Sequence, residues 1–198
     1  MQKYSIFCFL GNELTLRHKF FRMHNRKLLN IELGRVSAEE YKELPDSGIV
    51  IVLDNIRSAH NVGSAFRTAD SFKIDKVWLC GICAVPPSAE IHKSALGAED
   101  SVAWEHVDDT MEAVRRLKED GYTIVSAEQT MDSVMLDTFI PEKGRKYAVV
   151  FGNEVAGVSQ DVVDASDFSL EIPQYGTKHS LNVSVSMGVI LWHFRLHL

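Results

Sequence analysis

Three features of the chain predict an α/β domain built on a mostly parallel sheet. Gly48 to Asp54 and Tyr147 to Phe151 are apolar runs without polar alternation, as expected of strands buried on both faces. Between such runs, apolar residues recur at helical spacing, as in Val62, Phe66 and Ala69 and again in Met111, Val114 and Leu117. Capping pairs, glycines and prolines punctuate the boundaries. A length of 198 residues suits one Rossmann-like domain with a short appendage and is enough to bury a substantial core.

Taken in order, residues 1–22 lack an amphipathic period and precede Met23, a second possible start, so they read as a loose arm or upstream sequence. Residues 23–47 read as a short helical extension. Arg26 to Leu33 forms one turn-rich helix ended by Gly34, and Ser37-Ala38-Glu39-Glu40 is a capping box that opens a second, stopped before Pro45. The main domain, 48–198, begins with the Gly48 to Asp54 strand. The helix after it turns Arg67 about 100° away from the Phe66 stripe. Val77 to Cys80 is the next strand, and a helix after Pro86-Pro87-Ser88 runs through Ile91 to Leu96 and stops at Gly97. Asp109 and Glu112 cap a helix that Gly121 ends. Tyr122 to Ala127 is a strand, a variable loop reaches Gly144, and Tyr147 to Phe151 is a strand. A polar loop from Glu171 then leads to a last helix through Trp192, with Ser180 as its N-cap.

The net charge of −6 argues against a nucleic-acid surface spread over the whole chain. Charge is uneven, however: residues 1–35 hold seven Lys/Arg against two Asp/Glu, leaving 14 basic and 25 acidic residues in the other 163. A basic front end on an acidic body steers a polyanion toward one face, or is simply a solvated tail. Cys8, Cys80 and Cys83 are an odd, sparse set that fits a reducing, cytoplasmic setting. Cys80 and Cys83 spell C-x-x-C without a second pair, so they read as two buried small residues, and no metal site is expected. No apolar run is long enough to span a membrane, and the short one near Tyr4 to Leu10 has no cleavage site after it.

Three stretches carry chemistry. Asn61-x-Gly63-x-x-x-Arg67 follows the first strand, Phe151-Gly152-Asn153-Glu154-x-x-Gly157 follows a later one, and Ile172-Pro173-x-x-Gly176-x-x-x-Ser180-Leu181-Asn182-Val183-Ser184 precedes the last helix. Each begins where a strand ends or a shaped loop starts, the sheet edge at which ligands collect in open α/β folds. In order and spacing they resemble the three motifs of the SpoU-type (TrmH-like) RNA 2′-O-ribose methyltransferases of the SPOUT superfamily, over roughly residues 48 to 198. Pattern reasoning alone points to an unknotted Rossmann-like domain. The resemblance implies instead a SPOUT fold, with a deep trefoil knot near the C-terminus, a homodimer formed through the knotted region, S-adenosyl-L-methionine as cofactor and tRNA or rRNA as substrate.

The resemblance also implies roles, residue by residue. Adenosyl contacts fall near Gly152, Ile172 and Leu181, with Ala127 and Glu128 at the preceding strand end. Arg67 matches the motif-one arginine and is the principal catalytic candidate; because a guanidinium stays protonated, gripping a phosphate and orienting the hydroxyl suits it better than proton removal. A salt bridge to Asp70 is the structural alternative. Asn61 fixes the loop or touches substrate, Glu154 orients Arg67 or cofactor-loop backbone, and Ser180 and Asn182 form the motif-three pair. His60 and His179 lie beside motif positions without being called for by the pattern. Two other functions compete: a catalytically silent RNA-binding factor on the same scaffold, and a Rossmann-type nucleotide-binding enzyme, which the chain fits poorly for want of G-x-G-x-x-G after the first strand.

Overall fold

Ile49–Asp54 (β1) is buried at every position because it is the middle of a layer, paired in parallel with Lys76–Cys80 (β2) on one side and Lys146–Phe151 (β6) on the other. The computed structural model describes residues 26–198, so the expectation for residues 1–22 lies outside the described residues. Two compact units are present, 1–35 and 36–198. In the first, the turn Asn30–Leu33 is a 3-10 helix ended by Gly34, shorter than the Arg26 to Leu33 helix the sequence suggests. The second holds Ala38–Glu43 (α1), whose capping box is present at Ser37 and Glu40. It packs through buried Tyr41, whose hydroxyl donates to the Ala69 carbonyl at 3.4 Å.

The remaining strands are Ala103–Val107 (β3), Tyr122–Ser126 (β4), Val134–Met135 (β5) and Phe168–Glu171 (β7). All seven form one parallel sheet in the order β3-β2-β1-β6-β4-β7-β5. Alternation divides its side chains between two cores. Ile49, Ile51 and Leu53 face Ala59–Phe72 (α2) and the last helix, Val183–His197 (α7), through Val62, Phe66, Met187, Ile190 and Phe194. Val50 and Val52 face Thr110–Glu119 (α5) and Gln160–Ala165 (α6) through Val114, Leu117 and Val162. Each fully buried aliphatic or aromatic side chain of this kind contributes roughly 1.5–3 kcal/mol.

Several elements escape the sequence pattern. Strand β3 lies at the sheet edge with mostly exposed side chains, so it has no apolar run to announce it. The expected loop before Gly144 includes β5, and Phe139 from that stretch packs against Tyr147, Phe168 and Phe194. Helix Ala89–Ala95 (α3) is ended by Leu96 in the left-handed region (φ 55°), one residue before Gly97, which instead opens the short helix Ala98–Ser101 (α4).

Helices α2 and α3 pack closely at Gly63. A Cβ at Gly63 would lie 2.3 Å from the Ile91 carbonyl oxygen and 2.2 Å from Ser94 Oγ, which donates to the His60 carbonyl at 3.0 Å. Motif-one glycine is therefore a packing requirement of the helix that carries Asn61 and Arg67. Gly63→Ala should destabilise the protein by about 1–3 kcal/mol in denaturant unfolding. A change below about 0.5 kcal/mol, the range of an inert surface substitution, would mean that α3 gives way freely.

Candidate functional site

The end of β1 sets the site. Asp54 is buried, and its carboxylate accepts four hydrogen bonds: from Asn55 Nδ2 (2.9 Å), Thr110 Oγ1 (2.6 Å), and the backbone N–H (2.8 Å) and Oγ (2.6 Å) of Ser159. Asn55 turns the chain through the left-handed region (φ 55°), which asparagine tolerates. Its carbonyl accepts from Asn153 Nδ2 at 2.7 Å. Ser58 then caps α2 by accepting from the Asn61 N–H at 3.3 Å, and Asn61 is buried.

After β6 the second motif folds back on itself. Asn153 and Gly157 form an antiparallel bridge, and Asn153 Oδ1 accepts from the N–H groups of Val155 (2.9 Å) and Ala156 (3.2 Å). A Cβ on Gly152 would sit 2.0 Å from the Gly157 carbonyl carbon, so its close approach is to its own loop, whereas the sequence suggests approach by a cofactor. Glu154 reaches across to motif one: it accepts from Asn61 Nδ2 (2.9 Å) and from the N–H groups of Arg57 (3.1 Å) and Ser58 (3.2 Å) at the α2 N-terminus. Burial raises the Glu154 carboxyl, but the bonds from Asn61 and these amides outweigh it and hold the group below the usual carboxylate range. Of the two partners the sequence offers it, Arg67 or loop backbone, the bonds in place go to backbone, that of the first-motif loop, and to Asn61.

The third motif leaves β7 as a loop and enters α7. Its N-cap is Asn182, whose Oδ1 accepts from Ser184 N–H at 2.9 Å and Ser184 Oγ at 2.5 Å. Ser180, the N-cap read from sequence, lies two residues upstream in the loop; Asn182 wins because its short amide reaches the second amide of the helix. Gln129, just after β4, ties the loop down by donating to the His179 carbonyl at 2.9 Å.

The loops after β4, β6 and β7 enclose a cavity of about 490 Å³, and no residue of the first motif lines it. Eight of the ten residues picked from sequence line it: Ala127, Glu128, Gly152, Glu154, Ile172, Ser180, Leu181 and Asn182. Asn61 stands behind Glu154. Arg67 is exposed on α2, does not line this cavity, and enters no salt bridge with a described residue, Asp70 included. Sequence reading missed Asp54, Asn153 and Gln129, which hold the loops together. Their signal is position: each is a polar residue at the C-terminal end of a strand or in the turn just after it, and Asp54, the one that is buried, is a carboxylate that needs partners.

Cys80 and Cys83 are buried and free; Cys83 Sγ accepts from the Ile56 N–H (3.2 Å) and donates to the Leu53 carbonyl (3.3 Å). Burial pushes the Cys83 thiol up to about 11 and the Cys80 thiol higher, so both are packing residues with little thiolate. Among the described residues no group of three His, Cys, Asp or Glu could hold a metal ion, and no helix is long and apolar enough to cross a membrane.

Known proteins of two kinds resemble the chain. The model of the SpoU rRNA Methylase family matches residues 48–192. A 23S rRNA (guanosine-2′-O-)-methyltransferase RlmB of Nitrosomonas europaea is 36% identical over 189 residues, which is 92% of this chain and 68% of the relative. An enzyme of the same name from Neisseria meningitidis serogroup B is 31% identical over 76% of this chain and 59% of its own length, so that relative is considerably longer. Among solved structures, an AdoMet-bound rRNA methyltransferase from Sinorhizobium meliloti superposes with a TM-score of 0.72 at 26% identity, over 80% of this chain and 60% of that one. The A. aeolicus TrmH/SpoU tRNA modifying enzyme gives 0.71 at 25% identity, over 81% of both chains.

A pH dependence follows from the Glu154 ties. A carboxyl depressed by folding contributes stability above its unfolded value, near 4.3, and that contribution is lost as pH falls through the lower folded value. Unfolding of the native chain and of Glu154→Gln should therefore differ most at neutral pH and converge as pH falls below about 4. A gap that stays constant from pH 7 to pH 3 would contradict the charged tie.

Proposed function

The chain belongs to the SpoU rRNA methylase family, and from that premise we propose that it is an S-adenosyl-L-methionine-dependent methyltransferase acting on a ribose 2′-hydroxyl of tRNA or rRNA. The observation that carries the reading is the meeting of residues from three separated stretches around one cavity. The lining also fits the cofactor's chemistry. Ile172, Leu181, Ala127 and Ile190 offer an apolar slot for an adenine ring, while Glu128, Glu154 and Glu171 make the walls negative toward a sulfonium and an ammonium group. When bound, S-adenosylmethionine supplies an electrophilic methyl group that leaves with its bonding electrons remaining on sulfur.

The chain's own residues must place a ribose hydroxyl in line with that methyl group. Glu154 is held ionised by Asn61 and two amides, and its work is to lock the two motif loops together; its depressed pKa makes it a weak base. Arg67 serves as a guanidinium fork that holds a phosphate and polarises the hydroxyl. Since Arg67 does not line the cavity of its own chain, a second copy of the chain brings it to the reacting hydroxyl. The pairing surface fits α7, where Val185, Val189, Trp192 and Leu196 form an exposed stripe with spacings of four, three and four. A homodimer through the C-terminal knotted region, working on cytoplasmic RNA, is the assembly this reading requires.

Calorimetry should register S-adenosylmethionine and not NAD, and heat with NAD alone would end the reading. Arg67→Ala should lose methyl transfer at least 100-fold on the order expected for a transition-state contact, with cofactor affinity nearly intact; comparable turnover would refute the role. Sedimentation should give twice the chain mass, and Trp192→Asp should lower it toward one chain.

A further inference from the structure

We propose that Tyr175 is a stacking platform that holds a base of the RNA at the mouth of the cofactor cavity. The inference rests on the methyltransferase reading and adds to it a residue that positions substrate. Tyr175 is 94% exposed, although it belongs to the loop that roofs the cavity. Gln174 and His179, on either side of it in the loop, both line the cavity, while Tyr175 itself does not. Its ring is therefore outside the cavity wall, on a loop whose neighbouring residues are part of that wall.

The loop does not wave freely. Pro173 fixes one end, and the other is tied by Gln129 Nε2 to the His179 carbonyl and by the Asn182 cap to α7. A second apolar side chain, Val155, is left 82% exposed on the motif-two loop of the same cavity. A tyrosine and a valine left in water on two loops of one cavity are what a flat, partly apolar ligand would cover. Every base provides a π-face, so stacking on an aromatic ring tolerates any base while fixing its plane, and with it the position of the attached ribose. Lys178, exposed in the same loop, adds a cation for the backbone next to that base.

The test compares the native chain with Tyr175→Ala and Tyr175→Phe, using as probe bulk tRNA and bulk rRNA from cells lacking this protein. RNA retention on filters is measured with S-adenosylhomocysteine present, together with the calorimetric affinity for S-adenosylmethionine and the sedimentation mass. Tyr175→Ala should weaken RNA retention by about tenfold or more, with cofactor affinity within about twofold and mass unchanged, and Tyr175→Phe should restore retention because the ring is kept. Undiminished retention in Tyr175→Ala, an equal loss in Tyr175→Phe, or a fall in mass would overturn the stacking role while leaving the methyltransferase reading in place. Failure of the native chain to bind S-adenosylmethionine would remove that reading, and failure of the native chain to retain either RNA would overturn the stacking role.

Discussion

Two loops leaving neighbouring parallel strands must be held at one level, and the rest of the site depends on how that is done. Strands β1 and β6 end flush, with Leu53 opposite Phe151, so the chain emerges from both at the same edge of the sheet. Three polar contacts then stitch the loops: Asp54 to Ser159, Asn55 to Asn153, and Glu154 to Asn61 with the amides of Arg57 and Ser58. Hydrogen bonds to a charged carboxylate are worth roughly 1.5–3 kcal/mol each where well formed. An acid at the N-terminus of α2 also meets the positive end of that helix. The stitching makes the first motif and the second a single rigid piece, which no one of the loops could be alone.

The third loop is held by different means. Helix α7 is anchored by Met187, Ile190, Leu191 and Phe194 in the core, and Phe194 meets Phe139 and Tyr147. Its His193 Nε2–H donates to the Phe139 carbonyl at 2.6 Å. The loop therefore spans two fixed ends, β7 and Asn182, with Gln129 as a strut between them.

The strands buried on both faces were legible because they have no choice: Ile49 to Leu53 and Tyr147 to Phe151 are apolar throughout. The first two motif loops were legible because their polar residues sit directly after such runs, whereas the third follows the short strand β7, which no apolar run announces, and was legible from its proline, glycine and Ser-Leu-Asn order. What stayed hidden has physical causes. Strand β3 is held by backbone pairing at the sheet edge, and its mostly exposed side chains leave no pattern to read. Left-handed Leu96 took the cap expected of Gly97, which serves instead as the N-cap of α4. Asn182 displaced Ser180 as the cap of α7: both are good caps, and it is the Asn182 amide that reaches the Ser184 N–H. The buried position of Asp54 depends on Thr110 and Ser159, which are 56 and 105 residues away in sequence.

Amide hydrogen exchange, read with and without S-adenosylmethionine, tests most directly whether these tethered loops form one cofactor site. Added protection should concentrate in residues 127–129, 152–158 and 172–183 and leave the edge strand β3 unchanged. Protection confined to the α2 side of the sheet, or no protection at saturating cofactor, would contradict the placement of the site.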